Sequence, residues 1–506
     1  MRRSRLTVIG AIVGALMLSA CGTRLPNAAF LQAQRGSGTG GSGDLSAGDQ
    51  GSTGGANGSA GAAGTQGATA GGGGGPATAA GGGAGGAGGA AGGGGGAGAP
   101  GNTASDVGVT PNSITIGNIT ATGGSFGPEA FGVSQNGLKT WVQATNAKGG
   151  INGRKINLVT CDDAEDGSQN LACATKLVEQ NHVFALIGNN SDASARSASY
   201  EYSHNVPDLG FPLNNGYYKY PNMFSYLGGG GYARNGKQVG NNGLLEQQPG
   251  MFQWFHQTMG VSNGGFCFYS IAVSQQEGVA EEKQAQAAGI NNSYDCGGSN
   301  SGANPAAPTF DTDAVNMKAK GVDGVWDAID TNANAKLCQA FDRNQFHPKA
   351  KISTVEVWGQ EVGSWSAPCR NSVFVPGFED SYSDMANPAV AQFRHDFDSY
   401  CKGCPLHAWS LDGYGVGMMF GDALAAMGGA PTRGGFMGWM NGLNSYTDHG
   451  LWAPLDYHPY NFSQPHQQCF TVVQWQDSAN GYVTRAPLST CYNVGWISYP
   501  ASDDGS

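Results

Sequence analysis

Apolar positions form no periodic pattern between about residues 36 and 103, and beyond that they recur in short, dense runs. Residues 114–119 are a β-branched run. The stretch "EAFGVSQNGLKTWVQATNAKG" that follows carries Phe131, Leu138, Trp141 and Val142 at helical spacing. Gly149-Gly150 stops this helix, because glycine accepts the left-handed geometry of a helix end. A strand at 155–160, a helix through "QNLACATKLVEQN" and an apolar strand at 183–188 come next. The cycle continues with a strand at 266–272, a helix at 278–288, a strand at 324–329, a helix at 333–346 and a strand at 351–357. Helices at 389–400, 414–427 and 434–443, then a strand pair at 470–475 and 481–485, complete it. Strands alternating with helices at this spacing predict an α/β fold with parallel sheets covered on both faces. Two such runs in succession predict two doubly wound, Rossmann-like lobes.

The N-terminus reads differently. Residues 1–20 have a cationic start (Arg2, Arg3, Arg5), an apolar run over 6–18 and small residues before Cys21, the layout of a secretory signal. The apolar run falls short of the ~20 residues a spanning helix needs. Leu18-Ser19-Ala20-Cys21 resembles the lipobox of bacterial lipoproteins, which implies lipidation at Cys21; an ordinary cleaved signal is the alternative. Residues 21–106, dominated by Gly, Ala and Ser, bury too little apolar surface to offset ordering entropy and are expected to be a flexible tether. A glycine-rich structured array would need regular spacing, which is missing. The globular part is expected from Val107.

The ~400 residues that remain suit two lobes of roughly 100–200 residues each. The formal charge is −11, and residues 1–20 contribute three arginines and no acid, so the remainder is more acidic still. That balance disfavours nucleic acid, whose footprint is a basic stripe. Ten cysteines follow Cys21: Cys161, Cys173, Cys267, Cys296, Cys338, Cys369, Cys401, Cys404, Cys469 and Cys491. An even number on an exported chain suggests disulfides, and pairing neighbours along the chain is the simplest arrangement. Cys401 and Cys404 have redox C-x-x-C spacing. They follow a helix-like stretch and precede Pro405, whereas a reactive cysteine sits at a helix start, so a structural bridge is expected.

No motif specifies catalysis. The chain has no G-x-x-x-x-G-K-[ST] and no H-E-x-x-H. "GYGVGMMFG" reads as a helix packed closely through its glycines. His458 and His466 flank a loop without an evident third metal ligand, and acid pairs such as Asp162/Asp163 and Glu281/Glu282 do not alone make a hydrolase. The strand ends say more, since ligands of open parallel sheets bind beyond the carboxyl ends of the strands. Those ends read "NNSDASARS", "PLNNGYY", "SQQEG", "DAIDTNAN" and "VEVWGQE". Each taken singly is an ordinary helix cap; together they outline a cleft.

"GVTPNSITIGNI", "NAKGGINGRKINLVTCDD", "VEQNHVFALIGNNSDAS" and "GLWAPLDYHPYNFSQPHQQCFTVVQW" resemble segments of the substrate-binding lipoproteins of ABC transporters. The group is that of the branched-chain amino acid (Leu/Ile/Val) binding proteins, with the type I periplasmic-binding-protein fold. The similarity runs from about residue 109 to 483. It implies a ligand cleft between two lobes joined by three crossings, the first lobe comprising 107–247 plus 373–465 and the second 248–372 plus 466–506. Carried over by position, it implies ligand contacts at Ser191, Asp192, Ala193, Ser194, Leu213, Asn214, Asn215, Gln276, Asp330, Thr331, Asn332 and Glu356. Glu356 would face an α-ammonium.

Two residues depart from the family pattern. Asp192 puts a carboxylate where a ligand carboxylate is usually held, and Gln276 replaces a stacking Tyr, so a neutral polar or cationic solute is also in play. Trp326, Trp358 and Trp365 lie near second-lobe strand ends, where they stack on a ligand or fill the core. The function implied is an extracytoplasmic, lipid-anchored receptor, without enzymatic activity, cofactor or metal, that hands a small solute to an ABC permease and its ATPase. A sensory lipoprotein with the same cleft and a surface hydrolase are the alternatives.

Overall fold

The structure is a computed structural model that describes residues 101–126, 128–298 and 302–505; the signal segment, Cys21 and most of the tether lie outside the described residues. Its first sheet is parallel and contains β1 (Ser113–Ile119), β2 (Lys155–Cys161), β3 (Leu186–Ile187), β4 (Asp208–Gly210) and β5 (Met223–Ser225), in the order β2-β1-β3-β4-β5. Helix α1 (Gly132–Ala147) ends at Lys148, and Gly149 and Gly150 take φ of 106° and 85° as expected. Asn146 ties that end to β2, donating to the Ile156 carbonyl and accepting its N–H, both at 2.8 Å. Helices α2 (Gly167–Thr175) and α3 (Ala195–Ser203) follow β2 and β3.

The chain crosses to the second lobe after β6 (Leu244–Gln247) and enters α4 (Gly250–Met259). The second sheet combines β7 (Asn263–Phe268), β8 (Asn291–Asp295), β9 (Gly324–Ala328), β10 (Ala350–Ser353), β11 (Val373–Gly377), β12 (His466–Gln476) and β13 (Gly481–Val494). Their order is β13-β12-β11-β10-β9-β7-β8, with only the β11-β12 and β12-β13 pairings antiparallel. Helices α5 (Ala272–Ala287), α6 (Asp311–Ala319) and α7 (Thr331–Arg343) interleave these strands. From β11 the chain returns to cover the first sheet with α8 (Pro388–Tyr400), α9 (Ala408–Met427) and α10 (Arg433–Asn441). It crosses a third time into β12, and β14 (Ile497–Pro500) pairs antiparallel with β6.

Helices α1 and α9 meet through glycines. A Cβ on Gly137 would stand 1.9 Å from the Ser410 carbonyl oxygen, and one on Gly413 would stand 2.0 Å from that of Ser134. Gly417 makes room for the Trp141 ring in the same way. This is the close packing expected of "GYGVGMMFG". The five disulfides join neighbouring cysteines: Cys161–Cys173, Cys267–Cys296, Cys338–Cys369, Cys401–Cys404 and Cys469–Cys491.

Several expectations shift. Helix α5 begins at Ala272, not 278, so "SQQEG" is its first turns and not a strand-end loop. The run 351–357 breaks after Ser353 into a short 3-10 turn, Val355–Val357. β11 belongs to the second sheet because it pairs with β10, so the return crossing comes after Gly377 and not at residue 373. Residues 101–106, assigned to the tether, are tied to the first lobe. The Thr103 N–H donates to the Gly429 carbonyl at 3.0 Å, Arg154 donates to the Thr103 carbonyl at 2.9 Å, and Asp106 accepts the Arg433 N–H at 2.7 Å.

Candidate functional site

A cavity of about 370 Å3 opens between the two lobes where the strands of both sheets end. The loop after β1 is held open by acids at the end of β2. Asp162 accepts the N–H groups of Thr122 and Gly123, at 3.0 and 3.1 Å, and Glu165 accepts those of Ser125 and Phe126, at 2.6 and 2.9 Å. These carboxylates therefore fix a loop, cradle no phosphate, and deliver Phe126 to the cavity wall. From the first lobe the wall also takes Phe131, Asp192, Phe211, Leu213, Tyr226 and Trp409. The second lobe supplies Tyr269 after β7, Asp330 after β9, Glu356 after β10, and Phe378 and Glu379 after β11. A deeper arm reaches the second core, against Met251, Phe252, Phe255, Trp326 and Ile352.

Of the expected contacts, Asp192, Leu213, Gln276, Asp330 and Glu356 line the cavity. Ser191, Ala193, Ser194, Asn214, Asn215, Thr331 and Asn332 do not. Ser191 Oγ accepts the Ala193 N–H at 3.0 Å, and Ser194 Oγ donates to the Ser191 carbonyl at 2.7 Å. Asn214 donates to Ser194 Oγ at 2.5 Å and accepts the Gly216 N–H at 2.7 Å. Thr331 and Asn332 open α7, capped by Asp330, which accepts the Asn332 N–H at 2.8 Å. Asn215 turns to the C-terminal segment, donating to the Ser502 carbonyl at 2.6 Å, while its N–H is accepted by Asp504. Gln276 also engages that segment, accepting from Ser502 N–H and Oγ at 3.1 and 2.8 Å. The segment thus joins both lobes at the cavity rim.

Trp326 stacks on Phe252 and Phe266 in the core and also lines the deeper arm. Trp358 is fully buried against Tyr382 and Tyr482, and Trp365 lies 5.5 Å from the Lys351 ammonium; neither lines the cavity. His458 pairs with Asp456 at 2.9 Å, and His466 packs on Tyr460 and Trp496. Among the described residues the one cluster with metal-ligand composition is Asp422, Asp448 and His449, far in sequence from every cavity strand end.

The cavity wall is acidic. Among the described residues it holds Asp192, Glu277, Glu281, Asp330, Glu356 and Glu379 and no Lys, Arg or His. Burial, with Glu165 and Asp163 nearby, pushes Asp192 up to about 7, and burial pushes Glu379 to about 7 as well. Glu356 is raised well above the usual carboxylate range by burial and by Asp330, Asp327, Glu361 and Asp192. Its carboxylate accepts no hydrogen bond from the described residues, whereas Asp330 accepts from the Tyr269 hydroxyl. Lys351, buried beside this wall, is consumed by Asp327 at 2.7 Å, by Ser353 at 2.7 Å and by Asn334. His407 is held neutral: burial lowers it to about 4, its Nδ1 accepts the Trp409 N–H, and its Nε2 donates to the Glu356 carbonyl.

Two α/β lobes with three crossings and a side-chain-lined cavity at their strand ends define a cleft-type binding protein. Residues 113–481 match the family model described as periplasmic binding protein, and the chain belongs to that family. It is a family of binding proteins. A curated relative, "Amino acid binding protein" of Pseudomonas aeruginosa, is 37% identical over 83 residues, which is 16% of this chain and 21% of that protein. Among solved structures, the chain is similar to a fatty acid ABC transporter substrate-binding protein from Thermomonospora curvata, with TM-score 0.61, 14% identity, and 78% and 96% of the two chains covered. A solute-binding protein of an ABC transporter from R. palustris, in complex with benzoate, gives TM-score 0.58 and 14% identity over 76% and 99% of the two chains. At these identities the structural likeness establishes the fold.

The missed wall residues Tyr269, Phe211, Tyr226, Phe378 and Glu379 all directly follow strands, so the strand-end rule that found Asp192 reaches them too. Phe131 and Trp409 sit at helix starts, and their apolar character gave them the look of core residues.

Proposed function

We propose that this chain is the solute receptor of an ABC importer, held outside the cytoplasm by a lipid on Cys21, which captures a small molecule between its lobes and presents it to a permease and its ATPase. The observation that carries this reading is a single cavity walled by strand ends of both lobes, so that one ligand touches both and favours their closure through its differential affinity for the closed form. The solved relatives named for ABC transport share this fold, and the neighbours named for a fatty acid and for benzoate support a solute other than an amino acid. No helix among the described residues is long and apolar enough to cross a membrane, so the tether would supply the attachment. Neither nucleic acid nor a cofactor has a place in this reading.

Deletion of the gene tests it: loss of uptake of a solute that is recovered unchanged from the purified chain supports the importer role. Restoration of uptake by the wild-type gene but not by Cys21→Ser supports the anchor. Normal uptake with a lost transcriptional response would instead assign the cleft to sensing.

A further inference from the structure

Resting on the solute-receptor reading above, we propose that the cleft takes an organic cation with an apolar body, an aryl- or alkylammonium without a carboxylate, its head held between Asp192 of the first lobe and Glu356 of the second. The cavity wall carries six carboxyl side chains and no basic one. Three of those acids keep an oxygen without a donor among the described residues: Asp192 Oδ1, Glu281 Oε2 and Glu379 Oε1. Glu281 and Glu379 are only 6% and 2% exposed. A buried, unpaired carboxylate is costly unless a positive group or a proton accompanies it. The protein's own cations cannot serve, because Lys351 is spent on Asp327 and His407 is neutral.

The remaining surface suits the rest of such a molecule. Phe126, Tyr226, Tyr269 and Trp409 line the cavity, and aromatic rings attract ammonium groups through their quadrupoles. Phe252, Phe255 and Trp326 line the deeper arm, which takes a hydrocarbon or aromatic body. A solute carboxylate would meet Asp192 and find no basic group on the wall to offset it. Acids from opposite lobes also give the cation a mechanical role: it relieves their repulsion only when both lobes close on it.

Isothermal titration of the purified full chain with 2-phenylethylammonium, 3-phenylpropionamide, 3-phenylpropanoate and leucine tests this assignment. The expected result is binding of the ammonium at least tenfold tighter than the amide, the carboxylate or the amino acid. Asp192→Asn and Glu356→Gln should each weaken it tenfold or more, with folding verified by circular dichroism, while Asp398→Asn on the exposed face of α8 leaves it unchanged. Tighter binding of the carboxylate or of leucine overturns the cation assignment and leaves the receptor reading standing. Equal binding to the two acid-to-amide variants overturns it as well, as does silence of a folded chain toward the ammonium. Uptake by the deletion strain, which depends on no probe, decides separately whether the receptor reading falls too.

Discussion

The imidazole of His407 donates from Nε2 to the carbonyl of Glu356 at 2.9 Å, joining the helix that covers the first lobe to the acidic loop of the second. Its other nitrogen caps α9 by accepting the Trp409 N–H at 3.0 Å, so one buried ring positions an acid and an aromatic of the cavity wall. His407→Ala should cost roughly 1–3 kcal/mol, through a lost cap and an unpaired buried carbonyl, measured by urea denaturation at pH 7. The carboxylate facing it is Glu361, 3.9 Å away and itself pushed up to about 7 by burial. Because the folded-state value of His407 is depressed to about 4, its contribution is present above the unfolded value near 6.5 and is lost as pH falls toward 4. The gap between wild type and variant should narrow over that window.

Asp192 acts with the opposite sign. Its value of about 7 lies above the unfolded one, so the folded state holds a proton longer and stability declines as pH rises from about 4 to 7. The groups facing it are all acidic: Asp163 and Glu165 from the loop after β2, and Glu356 across the cleft. Asp192→Asn should therefore stabilise the empty protein at pH 8, by roughly 1–2 kcal/mol, with no gain at pH 4. Paired melting curves at the two pH values separate this from the His407 effect.

Gly137→Ala places a methyl group 1.9 Å from the Ser410 carbonyl oxygen, backbone that cannot swing aside. The helices must part, at a cost of about 1–3 kcal/mol or more. Gly434→Ala, in α10 and with open space around its Cβ position, should leave the melting temperature within a degree or two or raise it slightly.

Lys351 and Asp327 are both fully buried and 2.7 Å apart. Lys351→Met alone leaves Asp327 charged in the core and should cost about 3–5 kcal/mol. Adding Asp327→Leu should return much of it, since the desolvation penalty then disappears from both partners. A double-mutant cycle by denaturant titration measures the coupling.

Gln276→Ala removes the acceptor of two bonds from Ser502, the contact that fastens the C-terminal segment to α5. Amide hydrogen exchange in a peptide spanning 497–505 should accelerate roughly tenfold, as expected for about 1.4 kcal/mol of lost protection. Unchanged exchange would assign the fastening to the β14–β6 pairing and Asn215.

Periodicity determined most of the secondary structure, because a strand or helix buried on one face writes its spacing into consecutive residues. The strands at 114–119, 155–160 and 324–329 and the helix at 389–400 were legible within a residue or two for that reason. The glycine-spaced helix and the neighbouring cysteine pairs were legible too, since close packing leaves small residues and local bridges need only short loops. The place of β11 in the second sheet was not: it joins through pairing with β10, which its own sequence does not encode. Nor was the division of labour at the strand ends. Ser191 and Asp192 are adjacent and both polar, yet one caps a turn and the other faces the cavity, because side-chain direction is set by the local backbone and by the opposite lobe. The cavity's acidity is likewise a tertiary property. Asp192, Glu281, Glu356 and Glu379 are scattered along the chain, and only folding brings them to one wall while turning Lys351 inward to Asp327.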